Sequence, residues 1–138
     1  LHSQLQHPNI LRLYHYFEDA KSVYLVMELC GAGELYGYLK RQPEGRLTEE
    51  VARQVFRDIC RGLQHIHAHG IIHRDLKLSN ILLAEDRNGN LEAKIGDFGL
   101  AVICSAATRT DAFPAEQQTI CGTPNYLAPE IVQKRPYG

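Results

Sequence analysis

The sequence has no apolar run approaching the roughly 18–20 residues that a bilayer-spanning helix needs, so no spanning helix is expected. It has no excess of either charge. Fifteen Lys and Arg stand against 16 Asp and Glu, which leaves no electrostatic footprint for nucleic acid or an anionic membrane. Its four cysteines, Cys30, Cys60, Cys104 and Cys121, include no Cys-x-x-Cys pair and no histidine at zinc-finger spacing. A structural zinc site is therefore excluded, and reduced thiols in a cytosolic setting are expected. Leu1 is followed by neither a basic n-region nor an apolar h-region, so no secretory signal is expected. There is no internal repeat and no low-complexity tract. What remains is 138 residues, 44% hydrophobic and 22% charged, a globular composition of a length that suits one compact domain.

Hydrophobic patterning predicts mixed α and β structure. Residues 10–17 and 23–27 are apolar and aromatic around the polar turn 18–22, which predicts an antiparallel hairpin. His7-Pro8-Asn9 interrupts any helix entering from Leu1. Cys30-Gly31-Ala32-Gly33 is a flexible joint, and residues 34–41 form a short helix. The strongest helix runs from Thr48 to His69. Thr48 is its N-cap, Glu49 and Glu50 suit the positive end of its dipole, and Gly70 ends it. Its predicted buried stripe is Val51, Val55, Phe56, Ile59, Leu63 and Ile66. Ile71-Ile72 and Ile81-Leu82-Leu83 are short buried runs. Asn88-Gly89 marks a turn between Leu83 and the stretch 91–95, a second hairpin. Periodicity fades from Gly99 to Ala128, and residues 105–118 form a long polar loop of the kind that is usually functional or disordered.

Three motifs stand in fixed order: His73-Arg74-Asp75-Leu76-Lys77-Leu78-Ser79-Asn80, then Asp97-Phe98-Gly99, then Ala128-Pro129-Glu130. The middle tripeptide alone is weak; the ordered set is specific. It resembles the eukaryotic protein kinase signature. The resemblance implies an α+β, two-lobed protein-kinase-like fold, present in part. Residues 1–27 would belong to the small lobe, 28–33 to the hinge and 34–138 to the mainly helical large lobe, with an activation segment over 97–130.

Phosphoryl transfer needs positioning and charge neutralisation more than covalent catalysis, and the residue types suit that. By resemblance, Asp75 orients the substrate hydroxyl and accepts its proton, and Lys77 places a cation near the transferred phosphate. Asn80 and Asp97 offer hard oxygens to Mg2+. ATP would bond through its adenine edge to the backbone of Glu28 and Cys30, where side-chain identity matters little. Leu82 would lie against the ring, with Met27 as gatekeeper. His2, Leu13, His73 and Phe98 match a side-chain stack linking the lobes. Lys77 and Thr123 point to the serine/threonine class. Thr119, four residues before Thr123, is the expected phosphorylation site, ahead of Ser105, Thr108 and Thr110. Arg74 is its partner, since a phosphate adds nearly two charges that an arginine can bind. The donor of that phosphate would be an activating kinase or a second copy acting in trans.

The segments HPNILRLYHYFEDA (7–20), MELC (27–30), DLKLSN (75–80) and TICGTPNYLAPE (119–130) are similar to polo-like kinases, most of all the centriolar SAK-type branch, with Aurora kinases next. Residues 105–118 and 85–92 are the departures, both in loops. The implied activity is transfer of the ATP γ-phosphate to Ser or Thr of a protein substrate. The location is cytoplasmic, at the centriole or centrosome if the branch holds. The family's Gly-rich loop, strand lysine and helix glutamate are not in these residues. The chain is therefore expected to be a partial domain, inactive alone, and poorly packed where strands and the long helix lack partners. The alternative is a pseudokinase or truncated scaffold that binds nucleotide or a partner without catalysis.

Overall fold

The computed structural model describes residues 2–86, 88–104 and 122–135. Strands β1 (Leu13–Glu18) and β2 (Val23–Met27) form the expected antiparallel hairpin. Its turn is organised by Asp19. Oδ1 accepts the N–H groups of Lys21 at 2.8 Å and Ser22 at 2.9 Å, and Oδ2 accepts the Tyr24 hydroxyl at 2.9 Å. Short acidic side chains favour turns because they bond the backbone just ahead of them. Phe17 and Tyr24 are cross-strand partners and stack at 5.0 Å. Ile10 and Leu11 do not join this hairpin. They are buried and lie along Ile95, with the Leu11 N–H donating to the Ile95 carbonyl and the Ile95 N–H to the Asn9 carbonyl.

Helix α1 spans Leu35–Lys40 and α2 spans Glu49–Ala68. The Thr48 hydroxyl accepts the Val51 N–H, and the chain leaves α2 at Gly70. The buried positions of α2 are Val55, Asp58, Gly62 and Ile66. Phe56 is a correction to the predicted stripe, being 68% exposed. It follows Val55 directly, and each helical residue turns about 100° from the last, so it faces away. Gly62 marks the close approach of α2 to its neighbours. A Cβ there would sit 2.7 Å from the Asn9 carbonyl oxygen and 2.9 Å from Ile95 Cδ1. Asp58, although charged, is buried with its oxygens satisfied by the Gln54 amide at 2.9 Å and the Ala93 N–H at 3.2 Å.

A three-stranded antiparallel sheet, in the order β3 (Gly33–Glu34), β5 (Ile81–Glu85), β6 (Leu91–Ile95), packs on α2. Between them lies the main core of Leu35, Val55, Ile81, Leu83, Ala93 and Ile95. Each fully buried aliphatic side chain there contributes about 1.5–3 kcal/mol. A smaller cluster of Leu5, Ile10, Ile66 and Ile71 sits beside it. Strand β4 (Ile71–Ile72) pairs with β7 (Val102–Ile103), and α3 (Pro129–Val132) closes the described part. This frame brings the loop 73–80, the turn 96–99 and the segment 122–127 together. No helix among the described residues is long and apolar enough to cross a membrane.

Candidate active site

The loop between β4 and β5 carries a connected polar cluster. Asp75 is 8% exposed. Its Oδ2 accepts Lys77 Nζ at 2.7 Å and Asn80 Nδ2 at 3.0 Å, and its Oδ1 accepts the Thr123 hydroxyl at 2.8 Å. Lys77 Nζ also donates to Thr123 Oγ1 at 2.8 Å, and Asn80 Nδ2 to the Asp75 carbonyl at 2.8 Å. Burial alone would raise the Asp75 pKa. The hydrogen bonds from Lys77 and Thr123, the Lys77 charge and the Asn80 amide outweigh it, and the carboxyl is held below the usual range. Asp75 is thus an ionised acceptor held in place.

His73 anchors the loop from beneath. It is 1% exposed, its Nε2 donates to the Gly96 carbonyl at 2.8 Å, and its Nδ1 accepts the Asp75 N–H at 3.3 Å. Both nitrogens are used by the neutral ring. Burial lowers its pKa, and the Gly96 bond and the charges of Asp97 and Asp75 offset this only in part. Phe98 bridges His73, edge-on at 5.0 Å, and His2, at 4.6 Å, while His2 Nε2 reaches the Leu11 carbonyl at 2.6 Å.

Within the loop 73–80 and the turn 96–99, two non-glycine residues take left-handed backbone, Arg74 (φ +69°) and Asp97 (φ +56°), at about 1–2 kcal/mol each. The Asp97 carboxylate accepts the Gly99 N–H at 3.3 Å, closing the tight turn. Gly122, with φ +110°, lets the segment before Thr123 press on the loop, since a Cβ would fall 2.8 Å from the Arg74 carbonyl oxygen.

A cavity of about 540 Å³ opens above this cluster. Leu13, Met27 and Leu82 give it an apolar wall, and Asn80, Asp97 and Phe98 the other. Asn80 and Asp97 present an amide oxygen and a carboxylate to one space. Because the Asn80 nitrogen is committed to Asp75, its oxygen is the end left for a cation. That donor set fits Mg2+, a hard ion that takes few protein oxygens alongside phosphate and water.

The structure therefore unites Asp75, Lys77 and Asn80 in one cluster, and Asn80, Asp97 and Leu82 in one cavity. Glu28 and Cys30 do not line that cavity. Among the described residues the Glu28 carbonyl and the Cys30 N–H have no hydrogen-bond partner. The Glu28 side chain has a separate engagement: its carboxylate lies 3.2 Å from Lys94 Nζ and accepts the Arg12 N–H at 3.3 Å. Arg74 Nε donates to the Leu100 carbonyl at 2.5 Å. Thr119, Ser105, Thr108 and Thr110 lie outside the described residues. Two contacts escape sequence reading: the Thr123 hydroxyl on Asp75, and Lys94. The one visible signal for the latter is a lysine between Ala93 and Ile95 in a strand otherwise suited to burial.

An ionised aspartate clamped by a lysine, an asparagine and a threonine, below a cavity walled by a second aspartate, is the arrangement of a protein kinase core. The chain belongs to the protein kinase domain family, whose match covers residues 1–138. It is 46% identical over 138 residues to serine/threonine-protein kinase PLK4 of Nematostella vectensis, covering 100% of this chain and 13% of that relative. It is 46% identical to PLK4 of Xenopus laevis over 139 residues, 100% of this chain and 14% of the relative. For PLK4 of Drosophila virilis the identity is 41% over 138 residues, 100% and 16%. The chain thus spans well under a fifth of the length of these relatives. The likeness is to polo-like kinases.

Proposed function

We infer that the protein carrying this chain is an ATP-dependent serine/threonine kinase, residues 1–27, 28–33 and 34–138 serving as small-lobe part, hinge and large-lobe part. The observation that carries this reading is the closed cluster of Asp75, Lys77, Asn80 and Thr123. In the reaction a substrate hydroxyl oxygen bonds to the γ-phosphorus as the bond to ADP breaks, and the hydroxyl proton is lost. Asp75 is placed to orient that hydroxyl and take its proton. Lys77 supplies positive charge at the transferred group, and Thr123 holds both side chains in register. Catalysis of this kind rests on positioning and charge more than on covalent chemistry. Asn80 and Asp97 would hold Mg2+, which neutralises phosphate charge when bound. The Glu28 carbonyl and Cys30 N–H, both open, suit an adenine edge, and Leu82 and Met27 its face.

Arg74, fixed beside Asp75, suits a phosphate on Thr119, added by an activating kinase or by a second copy. The polo-like resemblance supports a protein substrate and a cytoplasmic, centriolar or centrosomal setting. The test is transfer of labelled phosphate from magnesium-ATP to Ser/Thr peptides by the full-length protein and its Asp75→Asn variant. Transfer lost in the variant, with nucleotide binding kept, is the expected result. Nucleotide binding without transfer by the unaltered protein would instead favour the scaffold alternative.

A further inference from the structure

A second, larger concavity shares no lining residue with the cleft above. It is a groove of about 1000 Å³ between α2 and the β5–β6 hairpin. One bank carries Arg53, Arg57 and Arg61; the other carries Asp86, Leu91 and Glu92.

The arginines recur every four residues, so they form a single row along α2. At about 1.5 Å per residue their backbone positions are about 6 Å apart. Alternate residues of an extended peptide are about 6.6 Å apart and point the same way. The two repeats match over several residues.

The charges of the two banks differ in how they are engaged. Among the described residues Arg57 bonds only the neutral Gln54 amide, at 3.3 Å. Arg61 approaches one carboxylate, Asp58, at 3.8 Å, and that carboxylate is buried and already bonded. Arg53 pairs with Glu49, both exposed, a pair of small worth that a ligand can replace. On the facing bank, Asp86 is bonded by the Asn88 and Asn90 N–H groups and the Asn90 amide. Glu92 pairs with Lys94. These carboxylates still repel a ligand that is anionic on every side, which argues against a nucleic acid strand. Glu50, at the rim on α2, adds to that repulsion.

The outer edge of β6 is taken up at Ala93 and Ile95, and among the described residues only Leu91 leaves it available to the groove. Ala93 and Ile95 turn their backbone groups away from β5, to Asp58, Asn9 and Leu11. Leu91 has the same phase, two residues earlier, and lies in the groove.

We propose that this groove docks an extended segment of a partner protein that carries acidic residues at alternate positions, with polar or basic residues between. The acidic side chains meet the arginine row and the intervening ones face Asp86 and Glu92. This is recognition at a distance from the kinase cleft and independent of its chemistry.

The test uses the full-length protein and fluorescence anisotropy. The probe is a labelled octapeptide of alternating glutamate and lysine; the controls are a block peptide of identical composition and an oligothymidylate. The alternating peptide should bind at least about tenfold more tightly than the block peptide and weaken with salt. The Arg53→Gln/Arg57→Gln double variant, which leaves the Arg61–Asp58 pair intact, should lose about tenfold or more of that binding while melting temperature and ATP hydrolysis stay unchanged. Arg57→Gln alone, at an exposed site, should give a smaller loss. Equal binding of the two peptides, an unchanged affinity in the variants, or preferential binding of the oligothymidylate would overturn the proposal.

Discussion

Lys94 joins the segment just after β2 to the β5–β6 hairpin through Glu28. Its ammonium lies 3.2 Å from the Glu28 carboxylate, 3.0 Å from that of Glu92 and 2.7 Å from the Pro8 carbonyl, and Lys94 is only 5% exposed. Burial acts to lower its pKa, but the bonds to Glu92 and Glu28 win and raise it. Lys94→Met leaves two carboxylates and a carbonyl facing each other without their cation. Loss of one partner of a buried ion pair costs about 3–5 kcal/mol; with Glu92 partly exposed, a loss near the lower end is expected by chemical denaturation. The Lys94→Met/Glu28→Gln double variant should recover part of it. A loss below about 1 kcal/mol would show that the link is incidental.

Thr123 is expected to act by positioning. Thr123→Ala removes the hydroxyl that bonds both Asp75 and Lys77. The turnover number should fall at least about tenfold, less than the roughly 10²–10⁴-fold carried by positioned proton transfer itself, with the ATP KM little changed. Thr123→Ser keeps the hydroxyl and should restore most of the rate. Equal loss in both variants would place the effect in packing instead.

Acidification below neutral should destabilise the fold. The pKa values of His7, His65 and His73 are all lowered, with burial the leading cause for each. A histidine with a depressed folded pKa binds fewer protons than the unfolded chain. Its contribution is therefore complete above about 6.5 and is lost as pH falls from there towards the folded value. For His73 the reason is visible, since the second proton would land on Nδ1 against the Asp75 N–H. Melting temperature should drop from pH 7.5 to about 5.5. His65→Phe keeps the ring contacts to His7 and His69, at 4.9 and 4.4 Å, and should shrink the drop. Asp75 works in the other range: its depressed pKa gives stability that is present above about 3.9 and lost below.

Gly62→Ala sets two effects against each other. Alanine favours a helix over glycine by about 1 kcal/mol. Its Cβ would press on the Asn9 carbonyl, which is backbone, and on Ile95. Overpacking costs about 1–3 kcal/mol, so net destabilisation is expected in denaturant titration; a more stable variant would mean that α2 can shift away.

The β1–β2 hairpin should make the 138-residue chain prone to association when expressed alone. Tyr16, Val23 and Leu25 are 61%, 64% and 52% exposed, and an exposed apolar strand pair is an aggregation surface. Concentration-dependent light scattering is expected. A monomer with a sharp melting transition would contradict it.

Much of this was legible in the residues. Thr48, Glu49 and Glu50 announce the start of α2, and Asn88-Gly89 the turn between β5 and β6, because capping and turn chemistry act within a few positions. The three ordered motifs mark the site for the same reason, as their spacing is a property of the chain. Phe56 was misread because apolar spacing alone does not say which side of a stripe has a partner. The Glu28–Lys94 pair was not legible, because it joins residues 66 positions apart that only packing brings together.

What the sequence alone determined is the main elements, α2 and the two hairpins, and the kinase motifs, which depend on local propensity and spacing. What only the tertiary structure decided is which distant side chains meet: Thr123 on Asp75 across 48 positions, Lys94 on Glu28, and an arginine row facing a carboxylate bank. Those meetings follow from how α2 packs on the sheet and how the chain returns at Gly122. Packing of that kind is a sum over many weak contacts, and no short stretch of residues encodes it.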